Sequence, residues 1–154
     1  MFPATNTFGL GAEVVKHNAA DLNSTAALHQ FVEEWLKRGG GVNRSGAEVL
    51  FVSTNDPRFT MISAEVNPEP SLDADCVSYR SLFEERNNPK FPGVILNERD
   101  HAIICLIPKS PDYAVYMLWS ERYEPGNQAD PEYFDRIDKD DAERFFKSLK
   151  ITPL

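Results

Sequence analysis

Asp100, His101 and Cys105 bring an acid, a base and a thiol within six residues. Nucleophilic catalysis needs the thiol or hydroxyl within hydrogen-bond reach of its base. The surrounding residues read as a strand. His101 and Cys105 then share a face but stand about 13 Å apart at the strand rise. Asp100 and His101 are neighbours, so a strand turns them to opposite faces. No GxSxG elbow supplies a serine instead. Gly9-Leu-Gly11 begins a dinucleotide fingerprint, but Val14 stands where the third glycine belongs and no good strand precedes it. Gly41-Val-Asn-Arg-Ser-Gly46 has the glycine spacing of a P-loop, but Ala47-Glu48 replaces the Lys-Ser/Thr that meets the phosphates. The three histidines, His17, His29 and His101, are too scattered for a zinc site, and no calcium-loop spacing occurs. No catalytic residue, cofactor or metal is expected.

What remains is a concentration of carboxylates. Between Glu121 and Glu143 stand nine acids, Glu121, Glu124, Asp130, Glu132, Asp135, Asp138, Asp140, Asp141 and Glu143, against three bases, Arg122, Arg136 and Lys139. Their net of −6 is most of the whole chain's −8. Tyr123, Tyr133 and Phe134 lie among them. Aromatic groups amid acids suit an interface better than a solubilising tail. The expected partner-binding surface is therefore Glu121, Tyr123, Glu124, Asp130, Glu132, Tyr133, Phe134, Asp135, Asp138, Asp140 and Asp141.

Charge narrows the partner. Nucleic acids and anionic membranes demand clustered Lys and Arg, and no basic run here exceeds two residues. A basic protein is the compatible partner. At 154 residues, with 42% apolar and 26% charged, the chain fits one globular domain and needs no disulfide to fold. Cys105, inside the apolar run at 102–107, reads as a small core group, and Cys76 forms no CxxC pair with it. The first residues show no basic and apolar leader pattern, and no apolar stretch reaches the roughly 20 residues of a membrane span. The expected compartment is the cytoplasm.

The elements that must position these residues follow from periodicity. Residues 1–11 read as a loose segment and 12–15 as a short edge strand. Asn23 or Ser24 caps a helix to about Arg38, with Leu28, Phe31, Val32, Trp35 and Leu36 on one stripe. Gly39, Gly40 and Gly41 stop it. Residues 48–54 and 58–66 read as strands. Residues 71–86 read as a second helix, with Leu72, Cys76, Tyr79, Leu82 and Phe83 on one side. Strands follow at 94–96, 101–107 and 113–119, joined by turns at 97–100 and 108–112. The last two are continuously apolar, which marks central strands buried on both faces. A final helix is expected over 139–150, capped by Asp138, with Ala142, Phe145, Phe146 and Leu149 as its stripe.

The expected fold is a single α+β domain over 12–154: an antiparallel sheet of about five strands carrying three helices. The expected function is non-enzymatic, that of a small bacterial inhibitor, immunity-type protein or chaperone that neutralises a basic protein. A small hydrolase or transferase with a carboxylate/His101 site, or a small-molecule sensor, is the alternative. If the helices cover one sheet face only, the other face is expected to pair two copies as a homodimer.

Overall fold

The computed structural model describes residues 7–17, 19, 21–40, 49–50, 56–70, 72–126 and 143–151. Its centre is the expected hairpin. β5 (Leu96–Leu106) and β6 (Tyr113–Tyr123) pair antiparallel, with Ile104 opposite Tyr116 and Cys105 opposite Val115. β1 (Thr7–His17) flanks β6, and β4 (Cys76–Glu85) flanks β5. β3 (Phe59–Pro68) closes one side. The two-residue β2 (Val49–Leu50) meets only Lys16 and His17 of β1, in parallel. The order is β2-β1-β6-β5-β4-β3, so β5 and β6 are central, as their apolar runs require.

Each face has its own core. On one, α1 (Thr25–Lys37) buries Leu28, Val32, Trp35 and Leu36 against Val15, Val77, Tyr79, Ala102, Ile104 and Tyr116. Ser24 caps the helix, its side chain accepting from the Ala27 N–H at 3.2 Å. Gly39 leaves it with φ +83°, and a side chain at Gly40 would fall inside the Trp35 indole. The Tyr79 and Tyr116 hydroxyls satisfy one another at 2.6 Å inside this layer. On the opposite face Phe146 of α2 (Glu143–Ser148) packs on Ile103, Met117, Trp119 and the Cys76–Cys105 pair.

Several expectations are corrected. The middle helix is strand β4. Its residues Val77, Tyr79, Ser81, Phe83 and Glu85 all point to the α1 side and are all buried. Two of these five inward positions are polar, which disguises a period of two as a helical stripe. The segment expected to be loose enters β1 at Thr7, and β1 pairs with β6 from Thr7 to Lys16. The turn expected at 97–100 lies inside β5, where Glu98 and Arg99 each pair with an opposite charge on β6. The α+β reading with three helices therefore holds only in its coarser form, an antiparallel sheet with helices packed on it. The final helix is described from Glu143, and its expected cap and first turn lie outside the described residues, as does most of the strand expected at 48–54.

The two cysteines form a disulfide between directly opposed residues of β4 and β5. This corrects the expectation of a free core thiol at Cys105. The pairing follows from register alone, since the residues are 29 positions apart. The helices also lie on opposite faces, so the premise of a homodimer through a bare sheet face is not met.

Candidate functional site

The polar residues of β4, β5 and β6 collect beyond the end of each apolar layer. On the α1 side Ser81, Asp100 and Ser120 lie in one row across the three strands, continued by Gly9 of β1. The next row holds Glu98 and Arg122, and Glu85 follows on β4. The Arg122 Nε–H donates to Glu98 at 2.9 Å and sits 3.3 Å from Glu85. The other Glu85 oxygen accepts from the Asn88 amide at 3.0 Å and lies 3.8 Å from Arg58, which is itself held by Asp56 at 2.7 Å. Two arginines thus bridge three carboxylates, and Glu85 is almost wholly enclosed.

Asp100 is the exception in this network. Burial pushes its carboxyl well above the usual carboxylate range, and Glu98 raises it further, while Arg122 and Ser81 pull the other way. Its Oδ1 has no hydrogen-bond partner among the described residues. A raised folded pKa means that the native state keeps this proton after the unfolded chain has lost it. The resulting penalty is absent below the unfolded value of 3.8 and grows as pH rises through the folded one. Asp100→Asn should therefore match the parent protein in acid and become progressively more stable than it toward neutral pH. Urea midpoints measured across that range check this. A stability difference that is flat with pH would show that Asp100 ionises normally.

The opposite face repeats the pattern once. The Arg99 Nε–H donates to Glu121 at 2.6 Å, and the guanidinium lies 5.4 Å from the centre of the Tyr123 ring. Glu121 is completely buried and Tyr123 nearly so. Both were expected on a partner-binding surface, and the fold instead encloses them against Arg99. Glu124 is half-buried at the end of β6. Asp130, Glu132, Tyr133, Phe134, Asp135, Asp138, Asp140 and Asp141 lie outside the described residues.

Asp100, His101 and Cys105 are not brought together as an acid, base and thiol. Asp100 faces the α1 side, whereas His101 faces the opposite side, its ring 6.3 Å from Phe146. Cys105 carries no free thiol. No helix among the described residues is long and apolar enough to cross a membrane.

The features that sequence reading missed lie on β1. Gly9 through Val14 are exposed without interruption, with Leu10 at 47% and Val14 at 54%. Beside them on the α1 side runs a groove of about 300 Å³ over Tyr116, Leu118 and Ser120. Its wall is low because Gly9 and Gly11 contribute no side chain. The loop-like composition of that segment concealed the strand.

No protein-family model matches the chain, and no curated protein is similar enough to count as a match.

Proposed function

We propose that this chain is a non-enzymatic protein-binding module that engages a basic protein through residues 124–143. The observation that carries the reading is the uneven distribution of charge along the chain. Inside the sheet Glu85, Glu98 and Glu121 are matched by Arg58, Arg122 and Arg99. Along the sequence from Glu124 to Glu143 there are eight acids, Glu121 no longer counted, and two bases, Arg136 and Lys139, a net of −6 out of the chain's −8. An inhibitor, immunity-type protein or chaperone for a basic partner fits that distribution. Tyr133 and Phe134 serve as apolar anchors, with Asp130, Glu132, Asp135, Asp138, Asp140 and Asp141 around them. The Cys76–Cys105 disulfide argues for an oxidising compartment and against the cytoplasm, where thiols are kept reduced.

The test has two stages. Affinity purification of the tagged chain from native extract should return a stoichiometric partner of basic pI. Asp135, Asp140 and Asp141 changed together to Lys should then slow association with it by tenfold or more at low salt, and the effect should shrink as salt screens the charges. Tyr133→Ala should instead speed dissociation. An affinity indifferent to both charge reversal and salt would reduce the segment to a solvated face.

A further inference from the structure

The groove on the α1 side of β1 and β6 ends on a polar row. Along its length Gly9, Gly11 and Glu13 of β1 lie beside Tyr116, Leu118 and Ser120 of β6. Gly9 and Gly11 carry no Cβ, so the floor there is bare, flat backbone. A Cβ at Gly9 would stand 3.0 Å from the Ser120 Oγ, so that hydroxyl leans over Gly9 at the groove's end. Ser120 in turn stands opposite Asp100, and Asp100 opposite Ser81. In this row only the serine side chain separates Asp100 from the groove. Asp100 is 4% exposed, and its Oδ1 has no hydrogen-bond partner among the described residues.

Charge at this end is short of cations. Glu98 of β5, Glu85 of β4 and Arg122 of β6 face the same side as Asp100. Arg122 is shared between Glu98 and Glu85, and Arg58, which also reaches Glu85, is held by Asp56. The buried residues of α1 are all apolar. Glu13 adds a further carboxylate along the groove. Two arginines thus stand against Asp56, Glu85, Glu98, Asp100 and Glu13, and among the described residues no ion pair holds Asp100. A cation at Ser120 would lie at cross-strand spacing from Asp100, roughly 5 Å. Away from bulk water the attraction at that range is several-fold stronger than in it.

We propose that this groove binds a small arylalkylamine, its ring on the Gly9–Gly11 backbone against Leu118 and Tyr116 and its ammonium at Ser120 beside Asp100. The body is flat because the floor is bare backbone, and apolar because Leu118 and Tyr116 form the wall. The head is a cation because an anionic head would meet Asp100, Glu98 and Glu13. A volume of about 300 Å³ is at the low end for small-molecule sites and suits one ring with a short arm. An ammonium beside Asp100 favours the ionised carboxylate. In the free protein burial makes that carboxyl hold its proton to a higher pH than usual. Binding should therefore displace the proton to the buffer. Affinity should rise with pH and level off once the free protein's Asp100 is itself ionised, while the amine keeps its own charge.

The experiment titrates the full chain with 2-phenylethylamine in a calorimeter. Binding should saturate with a Kd of about 1 mM or below. 2-Phenylethanol, the same body without the charge, should bind roughly tenfold more weakly, and phenylacetate should not bind. In buffers of different ionisation enthalpy the heat should report proton release below the pH at which the free Asp100 ionises. Asp100→Asn should weaken binding by roughly tenfold and abolish both the proton release and the rise with pH. Gly9→Ala, at an exposed position, puts a methyl group against the Ser120 Oγ and should also weaken binding. Absence of saturable binding overturns the proposal. So does equal binding of the alcohol and the amine, or proton release that survives in Asp100→Asn. A lysine amide that binds as tightly as phenylethylamine would overturn the assignment to a flat small molecule. The proposal does not rest on residues 124–143, and variants there should leave the amine's affinity unchanged.

Discussion

Ile104→Asp is expected to leave the chain unfolded at every temperature. Ile104 has no exposed surface and lies between Val77 on β4 and Tyr116 on β6, under helix α1. Removing its apolar side chain alone should cost about 2–5 kcal/mol, as for other large-to-small core changes. An aspartate there would also place a carboxylate in the cluster that α1 covers, whose buried members carry no charge. An uncompensated buried charge adds several kcal/mol more. The sum reaches the roughly 5–15 kcal/mol that holds a domain together. Far-ultraviolet circular dichroism and gel filtration should show an expanded chain with no melting transition. Ile104→Val, which keeps the site apolar, should cost only about 1 kcal/mol and melt cooperatively. A cooperative Ile104→Asp variant would mean that the hairpin is not the centre of the sheet.

The second large effect belongs to the disulfide. Cys76 and Cys105 close a loop of 29 residues, and constraining a loop of that length in the unfolded chain is worth about 3–4 kcal/mol. Cys76→Ala with Cys105→Ala should lower stability by about that much. For a chain of this size the melting temperature should drop by roughly 10 °C. Both sulfurs lie inside the layer beneath Phe146. A reductant should therefore act slowly on the native protein and quickly once denaturant opens it. Thiol titration in denaturant gives the direct check: no free thiol before reduction and two after. Two thiols in unreduced protein, or equal melting temperatures with and without the bond, would show that no cross-link stabilises the fold.

How far the sequence revealed this fold depended on whether each side chain's environment was local. Helix α1 was legible because its cap, its stripe and its glycine stop are all within the segment. The β5–β6 hairpin was legible because a continuous apolar run needs cover on both of its faces, and only a central strand has it. β4 was not, because Ser81 and Glu85 occupy inward positions that only Asp100, Arg122 and Arg58 on other elements make tolerable. The same failure spread to the proposed surface. Residues 97–100 read as a polar turn, which hid Arg99 as a cross-strand partner. Without Arg99, nothing marked Glu121 and Tyr123 as interior groups. The disulfide is non-local in the same sense, since two cysteines far apart in sequence carry no hint of which residues will oppose them.

The Arg–Glu pairs that cross between β5 and β6 have a consequence for how these strands find each other. A slip of one residue would turn every side chain to the wrong face, and apolar patterning alone forbids it. A slip of two keeps every face correct, so patterning offers no defence against it. Glu98 stands opposite Arg122 on one face and Arg99 opposite Glu121 on the other. Sliding β6 by two positions would set Glu98 against Ser120 or Glu124. It would leave Glu121 enclosed beside Asn97 or His101. Both faces would then hold uncompensated charge at once. The two ion pairs thus act as a vernier, rejecting the near-miss alignments that hydrophobicity cannot distinguish from the native one.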